Sequence, residues 1–100
     1  MNQTNFEELL KKRIDKICSL LQSKGQEYST EQDKLKNFKQ GCLMSGQTPR
    51  AYLWSLTVKH LECIKEIALD RLSDEYADEK IGDAINYMIL LEALIAESDN

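Results

Sequence analysis

Glu79 and Asp83 stand four residues apart in the segment Glu79-Lys80-Ile81-Gly82-Asp83-Ala84-Ile85-Asn86-Tyr87. On a helix that spacing projects both carboxylates from one face. Paired carboxylates of this kind can hold a magnesium ion through oxygen ligands, or can receive Lys59 and Lys80 in structural ion pairs. Asn86 is a polar amide inside an apolar run, a position that needs fixed partners. It either sets helix register through a hydrogen bond or reads a base, a ribose or an amide. Tyr87 lies four residues after Asp83 and shares its face.

The pair Lys59-His60 sits on another predicted helix. His60 is the one histidine of the chain. It falls on an apolar stripe, where a histidine is either a neutral buried imidazole with hydrogen-bond partners or a group that faces a ligand. Lys59, one step away, can extend its ammonium to solvent or direct it at an anion. A third polar group comprises Lys24 and Tyr28, then Asp33 and Asn37 one helical turn apart. Lys24 either meets a helix dipole or neutralises phosphate, and Tyr28 either lids the core or stacks on a planar ligand. The resulting candidate ligand set is Lys24, Tyr28, Asn37, Lys59, His60, Asn86 and Tyr87. Glu79, Asp83 and Asp33 form the candidate metal set. No Gly-rich phosphate loop, Gly-x-Ser-x-Gly or His-Glu-x-x-His is present, and no residue is assigned a catalytic role.

The elements that must position these groups follow from apolar spacing. Phe6, Leu9, Leu10, Ile14, Ile17, Cys18 and Leu21 predict a helix over about 5–24, with Thr4 and Glu7 as a capping box and Gly25 as the stop. Residues 26–32 read as a polar loop. Leu35, Phe38 and Cys42 predict a helix over about 33–45, ended by Gly46. Thr48-Pro49 reads as an N-cap and first turn of a third helix over 49–72. Its inward stripe is Leu53, Leu56, His60, Cys63, Ile64 and Ile67. Ser73-Asp74 caps a fourth helix reaching about Glu97, whose wide apolar surface marks it as central. No strand alternation, repeat or linker is visible. The expectation is an all-α fold, one helical domain over 1–100 arranged as a compact bundle of about four helices. The apolar surplus of the fourth helix points to a homo-oligomer.

Composition narrows the function. Hydrophobic residues at 42% and charged residues at 30% are ordinary for a globular chain. A net charge of -4 argues against general nucleic-acid backbone binding, which needs a basic surface. No apolar run is long enough to cross a membrane. The first residues lack the pattern of a signal peptide, so the cytoplasm is the expected compartment. Cys18, Cys42 and Cys63 are odd in number, widely spaced and set among apolar positions. They read as reduced core thiols.

The blocks Lys24-Gly25-x-Glu27-Tyr28, Asp33-Lys34-Leu35-x-Asn37-Phe38-Lys39, Thr48-Pro49, Lys59-His60 and Glu79-Lys80-Ile81-x-Asp83-x-Ile85-Asn86-Tyr87 together resemble a family of small phage and prophage proteins. The match covers roughly residues 20 to 95. That family is similar to small helical domains associated with nucleotide metabolism or modification. More distantly it looks like the all-α nucleotide pyrophosphohydrolases of the MazG and dimeric dUTPase type. The resemblance implies a helical protein in the host cytoplasm that binds a nucleotide or similar phosphorylated ligand. Lys24 and Lys59 would neutralise phosphate, Tyr28 or Tyr87 would stack, and Asn37 and Asn86 would read polar edges. Its enzymatic version is a magnesium-dependent pyrophosphohydrolase, with His60 assisting proton transfer. Those enzymes carry acidic pairs three residues apart, whereas Glu62 and Glu66, like Glu79 and Asp83, are four apart here. A different class of reading is an interaction module that sequesters or inhibits a host protein.

Overall fold

A computed structural model describes the backbone of residues 1–28 and 36–98, and the side chains of 1–22 and 39–97. Among the described residues the fold comprises four helices: α1 (Gln3–Tyr28), α2 (Lys36–Ser45), α3 (Pro49–Ala68) and α4 (Ala77–Ser98), with a 3-10 turn at Asp74–Tyr76 before α4. No strand occurs among the described residues. Among the described residues no helix is long and apolar enough to cross a membrane.

Local chemistry accounts for most boundaries. The expected Thr4 cap is replaced by Asn2, whose Oδ1 accepts from the Asn5 N–H at 2.8 Å while its carbonyl takes the Phe6 N–H. Asparagine ranks above threonine as an N-cap, and the start moves accordingly. The expected stop at Gly25 is overrun, because glycine permits a left-handed turn without imposing one. Residues 26–28, expected in a loop, are therefore helical, and the rest of that loop lies outside the described residues. Gly46 does end its helix, at φ 72. The Gln47 N–H then reaches back to the Cys42 carbonyl, the wrap that satisfies last-turn acceptors.

Thr48 caps α3 as expected, its hydroxyl accepting from Ala51 N–H. α3 stops at Ala68 rather than Leu72. Asp70 adopts φ 59, and Arg71 N–H turns back onto the Glu66 carbonyl at 2.8 Å. An Arg71–Glu66 ion pair at 2.9 Å closes this turn, so the apolar Leu69 and Leu72 lie beyond the helix and are exposed. Ser73 caps the 3-10 turn that feeds α4.

The core lies between α3 and α4. Leu53 is completely buried and packs with Leu94, Tyr87, Leu90 and Leu91. Thr57, equally buried, donates its hydroxyl to the Leu53 carbonyl at 2.9 Å, which lets a polar side chain enter an apolar seam. α2 packs on α3 through Gly41, where a Cβ would meet the Tyr52 ring at 2.8 Å. α1 is different. Its expected core stripe is largely on the surface, with Phe6, Leu9, Leu10 and Ile14 each about half exposed. Cys18, expected in the core, is exposed too, whereas Cys42 is buried and Cys63 half-buried; all three are free thiols. α1 follows the apolar period, but among its residues with described side chains the buried and half-buried ones are Arg13, Ile17, Leu20 and Leu21, and the stripe from Phe6 to Ile14 stays exposed. The radius of gyration, 15.5 Å, exceeds the about 13 Å usual for 100 residues.

Candidate functional site: the cleft between α1 and α4

Residues one and two turns apart on α4 divide between its two flanks. Tyr87, Leu90, Leu91 and Leu94 turn toward α3. Glu79, Gly82, Asp83 and Asn86 instead line a cleft of about 530 Å³ against α1, which contributes Lys12, Arg13, Asp15, Lys16, Ile17, Ser19 and Leu20. That volume lies within the range of small-molecule sites.

Asp78, in the first turn of α4, is the clamp between the two walls. Arg13 Nη2 donates to Asp78 Oδ1 at 2.7 Å and to the Asp78 carbonyl at 3.1 Å. Lys16 Nζ donates to Asp78 Oδ2 at 2.8 Å. The Lys16 hydrogen bond, aided by the charges of Lys16, Arg13 and Lys12 and opposed by desolvation, holds the Asp78 carboxyl below its ordinary value. An acidic first turn also suits the positive end of the α4 dipole. Gly82 is what brings the walls together. It is buried, and a Cβ there would collide with the Arg13 guanidinium. Without one, Arg13 lies flat along α4.

Asn86 is 7% exposed, and its Oδ1 has no hydrogen-bond partner among the described residues. A buried amide oxygen left unpaired carries a desolvation cost of about 1–3 kcal/mol. It does not supply the register-setting hydrogen bond that is one reading of such a residue. Asn86 is among the residues that line the cleft, and the oxygen itself is closed off from solvent. The cleft as a whole carries three cations and four carboxylates, with the basic groups on α1 and all but Asp15 of the acidic ones on α4.

On the opposite flank of α4, His60 and Tyr87 pack with ring centroids 5.3 Å apart and planes at 36°. Burial first, then the negative charge of Asp83 and the neighbourhood of Tyr52, raise the Tyr87 hydroxyl above its ordinary value. Asp83 thus lines the cleft and is also felt by Tyr87, linking the two flanks electrostatically.

The sequence-derived residues therefore separate. Glu79, Asp83 and Asn86 share the cleft; His60 and Tyr87 share the α3 side; Lys59 is exposed on α3. Lys24 and Tyr28 belong to the last turns of α1 and Asn37 to the first turn of α2, but their side chains, and all of Asp33, lie outside the described residues. Lys12, Arg13, Lys16, Asp78 and Gly82 were not anticipated. Their signal was present: a basic run at 11–13 and 16 on the first helix, matched by acidic residues opening the fourth. Among the described residues no group of three His, Cys, Asp or Glu side chains is placed to hold a metal ion. Comparison with protein-family models, with curated proteins and with solved structures finds no match for this chain.

Proposed function

We propose that this protein binds a nucleotide, or a similarly phosphorylated small molecule, in the cleft between α1 and α4. The observation that carries the reading is the Asn86 amide oxygen, buried and unpartnered in the cleft wall. A rotation of the Asn86 side chain that turns this oxygen into the cleft would let it accept from a ligand N–H, such as the edge of a base, and would compensate its desolvation. Lys12, Arg13 and Lys16 on the facing wall offer cations to a phosphate. The resemblance to small phage and prophage proteins fits the same reading, and implies that the host cytoplasm is where it acts.

Magnesium belongs to this proposal as a companion of the ligand. Glu79 and Asp83 make only a two-carboxylate donor set, which matches an ion that keeps its waters and takes its remaining oxygens from a phosphate. A dedicated protein cage would need more donors than the described residues bring together. The hydrolase version adds turnover to this binding; His60, its suggested proton carrier, packs on Tyr87 and does not line the cleft.

Isothermal titration with a panel of nucleoside mono- and triphosphates, with and without magnesium, tests the reading. Binding is expected for some of the panel, weakened about tenfold or more by Asn86→Leu. Magnesium is expected to tighten it in the native chain and not in Glu79→Gln/Asp83→Asn. Absence of binding across the panel, or equal binding by Asn86→Leu, sinks the proposal.

A further inference from the structure

The cations that α1 brings to the cleft already have an anion. Arg13 Nη2 and Lys16 Nζ each hold one oxygen of the Asp78 carboxylate, at 2.7 and 2.8 Å. The two donors come from positions three apart on one face of α1, so they converge on a single two-oxygen group. A guanidinium and an ammonium meeting two oxygens at such distances is also how a phosphate is held. The partners differ in freedom. The Arg13 side chain is 19% exposed and lies along α4 over Gly82, whereas the Asp78 side chain is 66% exposed. The guanidinium is thus set into the wall, and the carboxylate is the member that can turn away into water. An ion pair with so exposed a member contributes little, so an incoming anion has little to displace. With its carboxyl held below the ordinary value, by the Lys16 hydrogen bond first, Asp78 is ionised at neutral pH and occupies these donors there.

We infer that Asp78 is an internal competitor for the anion site of the cleft: its carboxylate occupies Arg13 and Lys16 in the free protein, and a phosphate group of the ligand takes both cations by displacing it. This rests on the cationic wall of the proposed site and not on Asn86. Displacement also sets the class of anion. It exchanges one negative charge for another, and Asp78 is tethered beside its partners, which favours it over any single charge arriving from solution. A carboxylate or a phosphodiester therefore gains nothing on Asp78. A terminal phosphate or a diphosphate brings about two charges or more, with up to three acceptor oxygens. Lys12, which lines the same cleft and whose charge reaches Asp78, rewards the larger charge as well. The site thus admits terminal phosphates and diphosphates and refuses singly charged anions.

Titration of the full chain with inorganic pyrophosphate, at low ionic strength and without magnesium, tests this apart from base recognition, because pyrophosphate has no N–H for Asn86. The amide signals of α1 report the binding. The native chain is expected to bind pyrophosphate and not acetate. Asp78→Asn, which keeps the shape and removes the charge, should tighten pyrophosphate about fivefold, and Asp78→Ala by at least as much. Arg13→Gln should weaken it about tenfold or more. Asp15→Asn removes an equal charge from the same cleft and should change the affinity clearly less than Asp78→Asn does. Pyrophosphate that binds neither the native chain nor the Asp78 variants, affinity unchanged or lowered in both variants, an equal gain from Asp15→Asn, or acetate bound as well as pyrophosphate overturns the inference. Should the nucleotide panel fail while pyrophosphate follows the expected pattern, the base is struck from the proposed ligand and the exchange at Asp78 is supported.

Discussion

The two flanks of α4 are made by one helix and obey opposite rules. Toward α3 the contacts are dry: Leu53 and Leu94 are buried, and the one deeply buried hydroxyl there, on Thr57, is spent on a backbone carbonyl of its own helix. Toward α1 the contacts are polar: a clamp at Asp78, a glycine under a guanidinium, and a cleft-lining asparagine whose buried amide oxygen has no partner among the described residues. The first flank minimises unsatisfied groups, which is how a core maximises stability. The second tolerates one, which a core would not retain. A helix that is finished on one side and unfinished on the other separates the residues that hold the fold from those available to a ligand.

The largest effect should come from breaking the finished side. Leu53→Ala removes the fully buried centre of the α3–α4 seam and should cost about 2–5 kcal/mol in urea unfolding. The variant should lose stability without a selective loss of affinity in whatever fraction stays folded. Asn86→Leu is the informative contrast, because its sign reverses. Replacing an unpaired buried amide by a hydrocarbon relieves desolvation and should stabilise the chain by about 1 kcal/mol, while ligand affinity falls. A destabilised Asn86→Leu would mean that the amide is structural after all, and the contrast between the flanks would collapse.

The division was only partly legible in the sequence. The α3–α4 seam was, because Leu53 and Leu94 lie on apolar stripes that repeat at the helical period, and both helices have a full face of such residues. Glu79 and Asp83 were also legible as chemistry-bearing groups from their four-residue spacing, and Asn86 because it interrupts an apolar run. What spacing cannot convey is which neighbour a face meets. The α1 stripe has the same period as a core stripe, so Phe6, Leu9 and Cys18 read as interior. Only the geometry shows α1 touching α4 through a few turns. The clamp was missed for a related reason: Arg13 and Asp78 are far apart in the chain, and each alone resembles an ordinary surface charge. Gly82 carried no visible role until a guanidinium was found lying over it. Boundaries erred where two signals competed, as at Gly25, where helix continuation won, and at Asp70, where a non-glycine residue accepted a left-handed turn.

A smaller effect sharpens the electrostatic link between the flanks. Tyr87 is held neutral above its ordinary value by burial and then by Asp83. The unfolded chain ionises this phenol first as pH rises, so unfolding becomes easier above about pH 10. Ultraviolet titration at the phenolate band should show a late-titrating tyrosine that Tyr87→Phe removes. Asp83→Asn should move that late titration toward ordinary values while leaving part of the delay, since burial is the larger cause. A late titration indifferent to Asp83 would detach the cleft from the His60–Tyr87 side.

The smallest expected effect is at the clamp itself. Exposed ion pairs contribute little to global stability, even with two cations on one carboxylate. Asp78→Asn should accordingly shift the unfolding midpoint only slightly at neutral pH. Its signature should be local and should depend on acid and salt. The folded carboxyl is held below its ordinary value by Lys16, Arg13 and Lys12, so its contribution is present above the unfolded value and fades as pH falls through the folded one. Amide exchange in α1 around Arg13 and Lys16 should therefore accelerate as the native protein is taken below about pH 4, and with added salt at neutral pH. The Asp78→Asn variant should exchange fast at the outset and respond to neither. If α1 stays equally protected in both chains, the helix is held by its apolar contacts or by a second copy, and the clamp orients Arg13 for the cleft without fastening α1 to α4.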